Sequence, residues 1–232
     1  TNAMESGDIT INGVPIGKSV ASSDTASPTP TDPESSAIAK AAAINESSES
    51  TGVTAKANPT VLNGNEITAS GVVNETFKIN GTDITVSFGA SATDAEKQGA
   101  IVDAVNAKSG LTGVTAEAFT DQSGNDTFRL TADDGSNVVV SDFTNMATAN
   151  SLGFENAAGN AFTSGSAQTQ RGSIALESAG EIEIGTLTGD NESAGFQIGS
   201  YGNNEDGQLL RDVDISTVEG ANDAITSMDN AL

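Results

Sequence analysis

Apolar and polar positions alternate along two short stretches of this chain, each broken at the same point by Asn-Gly. Ile9, Ile11, Val14 and Ile16 flank Asn12-Gly13. Phe77, Ile79, Ile84, Val86 and Phe88 flank Asn80-Gly81. A period of two around a dipeptide that tolerates positive φ predicts a two-stranded ribbon in each place. Each ribbon is followed by a helical pattern. Thr31-Asp32-Pro33-Glu34 and Thr93-Asp94-Ala95-Glu96 read as capping boxes, with Thr31 and Thr93 as N-caps and Glu34 and Glu96 as their partners. The helices should then run to about Glu46 and Lys108. Ile101, Val102 and Val105 form one apolar face, and Ile38, Ala41, Ala42, Ala43 and Ile44 a smaller one.

The two halves repeat in order. Ile11-Asn12-Gly13, Ala43-Ile44-Asn45 and Gly52-Val53-Thr54-Ala55 return as Ile79-Asn80-Gly81, Ala104-Val105-Asn106 and Gly113-Val114-Thr115-Ala116. The segment Lys18 to Pro33, rich in Ser, Thr and Pro, reads as a surface loop that lengthens the first copy. The second copy continues into a ribbon, Phe128–Ala132, the turn Asp133-Asp134-Gly135, then Val138–Val140. The first copy lacks this directly after Pro59. Its equivalent is Ile174–Glu177, a turn at Ala179-Gly180, then Ile182–Ile184.

The expected fold is therefore α+β and β-rich. Two related β-ribbon/helix/β-ribbon modules are present, the second inserted into the first. The inner, discontinuous module spans about 5–64 and 170–213, and the outer one 65–169. On that scheme residues near Asp8 and Val213 should lie close together. From 214 to 232 the pattern changes. Ser216-Thr217-Val218-Glu219 is a further capping box, and Val218, Ala221, Ile225, Met228 and Leu232 form a coiled-coil seam. Thr1-Asn2-Ala3-Met4 reads as an excised interior start or a short leftover.

Composition narrows the function classes. With 32 Asp+Glu against 9 Lys+Arg in 232 residues, the formal net charge is -23, which disfavours nucleic acid and anionic membranes as partners. The chain has no cysteine and no histidine, which removes disulfides, thiolate sites and the commonest general base and metal ligand. No apolar run reaches membrane-spanning length. No enzyme, no cofactor and no metal is expected.

The remaining candidates have plainer readings. Asp133-Asp134-Gly135-Ser136-Asn137 and Asp121–Asp126 lack the ligand spacing and closing Glu of a calcium loop, and read as turns. Asn203–Gly207 is a weaker acidic cluster. Glu181 and Glu183 lie two apart on a strand and share a solvent face, so they do not form a glycosidase pair. Asn12, Gly13, Asn80 and Gly81 are structural turn residues. Asn45 and Asn106 should cap helix ends or bond a neighbouring loop. Asn-x-Ser/Thr tripeptides such as those at Asn45, Asn74, Asn125 and Asn191 read as chance matches. The Ser19–Thr31 loop is the better place for O-linked sugar.

The Ile-Asn-Gly, Ile/Val-Asn and Gly-Val-Thr-Ala pattern resembles the Asn-containing repeat of bacterial flagellins and hook-associated proteins. Asp214–Ile225 looks like the start of the flagellin carboxy-terminal helix, and Phe196-Gln197-Ile198-Gly199 is similar to a short flagellin signature. The resemblance implies the surface-exposed middle of a flagellin, extracellular on the filament and supporting motility. It implies other flagellin subunits as partners, met through terminal helices missing here, and a monomeric fragment. A hook-associated or filament-cap protein shares the motif. A flagellin-like adhesin for a polysaccharide is the rival from another class. The lack of Trp and the single Tyr weigh against it, and an exposed pocket at Tyr201 or Phe162 would favour it.

Overall fold

A computed structural model describes residues 2–27, 32–121, 123–154 and 167–202. The described residues form an α+β, β-rich fold of four antiparallel sheets with short helices. The strands are β1 (Thr10–Ile11), β2 (Val14–Pro15), β3 (Val53–Ala57), β4 (Thr60–Asn63), β5 (Val73–Ile79), β6 (Thr82–Phe88) and β7 (Thr115–Thr120). They continue with β8 (Asp126–Ala132), β9 (Val138–Ser141), β10 (Gln168–Gln170), β11 (Ile174–Ser178), β12 (Ile182–Gly185) and β13 (Gly199–Tyr201). The helices are α1 (Ala37–Asn45), α2 (Ser48–Thr51), α3 (Asp94–Asn106), α4 (Ser109–Thr112), α5 (Met146–Ser151) and α6 (Asn191–Ala194).

The sheets repeat one another strand for strand. One has the order β13-β12-β1-β2 and another β10-β9-β5-β6. In each, an Asn-Gly hairpin is joined on its first strand by a strand from much later in the chain. That later strand is followed by a short helix and a fourth strand. The β3–β11 pair likewise matches β7–β8. Among the described strands only β4 has no counterpart; it pairs with β8. All elements from β4 to β10 lie in the interval between β3 and β11.

Two apolar clusters accompany this duplication. Met4, Ile9, Ile11, Ile16, Ile44, Val53, Ile182 and Ile184 belong to the smaller, which contains no fully buried aromatic ring. The larger includes Phe77, Phe128, Phe154, Ile79, Ile84, Ile101 and Leu130. Phe154 sits between Phe77 and Phe128, with ring centroids 4.8 and 4.7 Å away at tilted angles, a favourable aromatic geometry. The chain passes from one cluster to the other on two adjacent segments. Asn58 N–H donates to Ser173 C=O at 2.9 Å, and Asn58 Nδ2 donates to Ser173 Oγ at 3.0 Å. Gly172 lies so close that a β-carbon would come within 2.8 Å of Thr60 Oγ1 and 2.9 Å of the Asn58 carbonyl oxygen.

Several expectations need correction. Phe128–Ala132 and Val138–Val140 are not a ribbon: β8 pairs with β7 and β4, whereas β9 pairs with β5 and β10. The same holds for β11 and β12, which pair with β3 and β1. Each supposed ribbon is a corner carrying the chain from one sheet to another. Alternation of apolar residues specifies two strands but not that they pair with each other. Leu62, on β4, is buried in the larger cluster.

Helix α1 starts later than expected. Pro33, Glu34 and Ser35 form a 3₁₀ turn, and Ser36 Oγ caps α1 by accepting from Ala39 N–H at 3.1 Å. Glu34 is therefore no capping-box partner of α1, and Thr31 lies outside the described residues. Pro33 suits a first turn, but Asp32 ahead of it is in the left-handed region and starts only the 3₁₀ turn. The Ser-rich segment is not a free surface loop either. Ser19, Asp24 and Ser27 are buried. Asp24 Oδ1 accepts from the Ala26 and Ser27 N–H groups, and Ser27 Oγ accepts from Asn137 N–H at 2.8 Å. Met4 is fully buried; its N–H donates to Ser19 Oγ at 2.9 Å and its C=O accepts from Ser19 N–H at 2.9 Å. The seam at Val218, Ala221, Ile225, Met228 and Leu232, and the Asp8–Val213 proximity, lie outside the described residues.

The ring cluster yields a first prediction. Phe154→Ala should lower unfolding free energy by about 3–5 kcal/mol, as for other buried Phe truncations, in urea titrations followed by circular dichroism. A loss under 1 kcal/mol would show that Phe154 does not organise the larger core.

Candidate functional site

The residues that the duplication repeats form matching hydrogen-bond networks. Asn12 and Gly13 have φ of 51° and 78°, and Asn80 and Gly81 have 49° and 79°. Positive φ at both central residues makes each a tight hairpin turn whose twist matches its strands. The Asn side chain then reaches outward from the turn. Asn12 Nδ2 donates to Thr51 C=O at 2.8 Å while Oδ1 accepts from Glu183 N–H at 2.8 Å. Asn80 Nδ2 donates to Thr112 C=O at 2.8 Å while Oδ1 accepts from Val139 N–H at 2.8 Å. One side-chain amide thus ties a hairpin, the end of a short helix and a distant strand together.

The second Asn of each copy does a related job. Asn45 accepts from Ala55 N–H at 2.7 Å and donates to Ala55 C=O at 2.8 Å. Asn106 does the same with Ala116, both at 2.8 Å. They bond a strand backbone ten residues on. The planar amide presents one donor and one acceptor in the spacing of a peptide unit, so it stands in for a neighbouring strand. Thr51 and Thr112 complete the set, each Oγ1 accepting from the N–H two residues later at 3.1 Å.

The capping box at the second helix is present, with Thr93 Oγ1 accepting from Glu96 N–H and Glu96 Oε2 accepting from Thr93 N–H. The Thr93 N–H first, and the Thr93 hydroxyl second, both donating to Glu96 Oε2, hold the Glu96 carboxyl below its ordinary range. The acidic loops are self-satisfied turns. Asp121 Oδ1 accepts from Ser123 and Asn125 N–H groups, and Oδ2 from Asn125 Nδ2, which depresses its pKa. Asp134 Oδ1 accepts from Ser136 N–H at 2.9 Å. Among the described residues no three acidic side chains gather as a metal site. Asn203–Gly207 lies outside them. Glu183 is exposed on β12 between buried Ile182 and Ile184. No described helix is long and apolar enough to cross a membrane.

The charged group that sequence reasoning missed is Lys40. It is only 3% exposed, on the α1 face packed inward, and Nζ donates to Ser193 C=O in α6. Burial first, and the nearby Arg171 guanidinium second, lower its pKa from 10.5 to about 8. Arg171 Nε donates to Ser35 Oγ at 2.8 Å. A cleft of about 240 Å³ opens beside Lys40, walled by Ser35, Ala37, Gly172, Ser173, Ile174 and residues 194–196. Across Phe196 lies a more open groove of about 420 Å³, with Leu176, Ile182, Ile184 and Tyr201. The single charge within Ala-Ile-Ala-Lys-Ala-Ala-Ala-Ile was the available signal. Tyr201 is 43% exposed on this groove, and Phe162 lies outside the described residues.

No protein-family model matches the chain, and no curated protein sequence matches it. Among solved structures it is similar to the D2–D3 domains of the flagellar cap protein FliD from Escherichia coli. The identity is 17% and the TM-score 0.33, over 60% of this chain and 68% of that one. A D1–D2–D3 structure of FliD from the same organism aligns at 16% identity and TM-score 0.33, over 61% of this chain and 52% of that one. The chain thus spans about half of that longer structure.

Two predictions follow from these geometries. Asn12→Ala and Asn80→Ala each remove two hydrogen bonds and hold a β-carbon at positive φ, costing about 2–4 kcal/mol apiece in urea titrations. Clearly unequal losses would show that the two networks do not carry equal weight. For Lys40 the sign is opposite to that of a paired lysine. Below about pH 8 it is charged in both states and the folded state bears the full burial cost. Between about 8 and 10.5 the folded form loses the proton while the unfolded form keeps it, so stability rises with pH. Lys40→Met should abolish that rise in denaturation midpoints measured from pH 7 to 10.5; an unchanged rise would assign it to other groups.

Proposed function

We propose that this chain is a structural, non-catalytic part of the bacterial flagellum, the outward-projecting surface region of a flagellin-type filament subunit. The observation that carries the reading is the duplicated asparagine network. The motif that resembles the flagellin and hook-associated repeat coincides with the residues that hold each half together. A protein whose repeated side chains all bond its own backbone, with acidic loops that satisfy themselves, suits a displayed module better than a reaction centre.

The topology supports projection. β13, the last described strand, shares a sheet with β1 and is separated from it only by β12. Both ends of the described fold therefore belong to the smaller cluster, and the larger one lies beyond the crossing at Asn58 and Ser173. In the filament the smaller cluster would face the shaft and the larger would face outward. The net charge of -23 keeps such a surface soluble and unsticky. Other flagellar subunits are the partners on this reading, and the location is extracellular.

A hook-associated or cap protein is the second reading, because it shares the Asn-containing motif. Immunogold electron microscopy of the source cells, with antibodies raised against this chain, separates the two. Gold along the whole filament is the expected result. Gold confined to the tip or the hook junction would replace the filament reading with the second. Label on the cell body alone would overturn both and favour a surface adhesin.

A further inference from the structure

We propose that the cleft beside Lys40 binds one oxyanionic group, a carboxylate or a phosphate or sulfate, between the Lys40 ammonium and the Arg171 guanidinium. The inference is independent of the flagellar reading. It rests first on hydrogen-bond capacity. An ammonium has three donors, and Lys40 uses one on Ser193 C=O. Its remaining donors belong to a side chain buried in the cleft wall, where solvent reaches little of it.

Charge placement is the second observation. The three ion pairs found among the described residues are Lys78–Asp142, Lys97–Asp94 and Arg129–Glu117, each a cation beside a carboxylate. Lys40 lines the cleft together with Ser35, and Arg171 is bonded to that same Ser35 Oγ at 2.8 Å, near enough for its charge to disfavour the charged lysine; neither cation makes an ion pair with a described carboxylate. In a chain with 32 acidic and 9 basic residues this pairing of like charges is against the odds. A bound oxyanion would turn the repulsion into a shared attraction, and guanidinium and ammonium together suit such a group.

The cleft is built for a small group. Its volume of about 240 Å³ admits one oxyanion with a short substituent and no folded segment. Ser35 and Ser173 are on its wall, and Arg171, which does not itself line the cleft, reaches that wall through its bond to Ser35 Oγ. Gly172 is wedged against Thr60 and Asn58, so the floor is pre-formed. Ile174 and Phe196 supply an apolar side, where reduced solvent screening strengthens charge–charge attraction. No carboxylate lines the cleft. The groove beyond Phe196, with Leu176 and Tyr201, lies where the remainder of a larger ligand would extend.

The test is a titration of the whole chain, carrying ¹³C-labelled lysine, with sodium phosphate and separately with sodium acetate. Chloride keeps ionic strength constant. The Lys40 Cε resonance should shift saturably, and its pKa should move up from about 8 as the anion binds. Response to phosphate identifies a phosphate-type ligand, and response to acetate alone a carboxylate. Arg171→Gln should weaken binding about tenfold or more, as expected for loss of a charge-assisted partner. Should that variant fail to fold, the wild-type saturation and pKa shift still decide the matter. A shift that is linear in both anions, an unmoved Lys40 pKa, or undiminished binding in folded Arg171→Gln would overturn the proposal.

Discussion

The fold depends on a side-chain amide acting as a peptide group. At Asn12 and Asn80 the amide bonds a strand on one side and a short helix end on the other. The first hairpin could not be held there by apolar burial alone, since β1 and β2 are two residues each and expose part of their surface. Isolated two-stranded ribbons are marginal in water, and added tertiary contacts are what stabilise them. Asparagine also tolerates the left-handed backbone that the turn imposes, so one residue meets two demands at once. Glutamine would place the amide too far out, and aspartate would bring an acceptor against a carbonyl oxygen.

Repeating this device lets one architecture support two different cores. The larger cluster has Phe77, Phe128 and Phe154 at its centre. The smaller holds only aliphatic side chains among its fully buried members, with Phe196 at its edge. Since the hydrogen-bond frame is the same, the packing inside it was free to vary. The frame also explains how one set of elements can sit between β3 and β11. The matching position, between β7 and β8, is a short loop, and strand pairing survives when that loop is replaced by a larger insertion. Loop closure costs rise slowly with length, and the two crossing segments are bonded to each other at Asn58 and Ser173.

Lys40 shows how an overall charge conceals a local one. A chain of net charge -23 repels anions at long range, yet screening by salt confines that repulsion to about a Debye length. Lys40 is the charged residue that lines the cleft, and Arg171 is bonded to Ser35 on its wall. Neither cation has an ion-pair partner among the described residues, and the cleft adjoins the apolar groove at Tyr201. That region contrasts with the asparagine networks and the Asp121 turn, where every stated acceptor has its donor.

Local rules on their own determined the Asn-Gly hairpins, the Thr93–Glu96 helix start and the order in which the repeated elements occur. Each depends on neighbours within a few residues, so periodicity, turn chemistry and capping suffice. The pairing of β8 with β7 and of β9 with β5 needed the tertiary structure, because alternation marks a strand without naming its partner. The same holds for Ser36 as the cap of α1, where two adjacent serines and an upstream Thr-Asp-Pro-Glu offered competing starts. It holds for Asn45 and Asn106, whose amides meet a strand ten residues away, and for the burial of Ser19 and Ser27. The sites least legible in the sequence were Lys40 and Arg171. They are 131 residues apart by numbering (171 − 40), and only folding brings them beside one another. Sequence periodicity reports which face a residue occupies; charge-to-charge distance is decided by how separate segments close over the core.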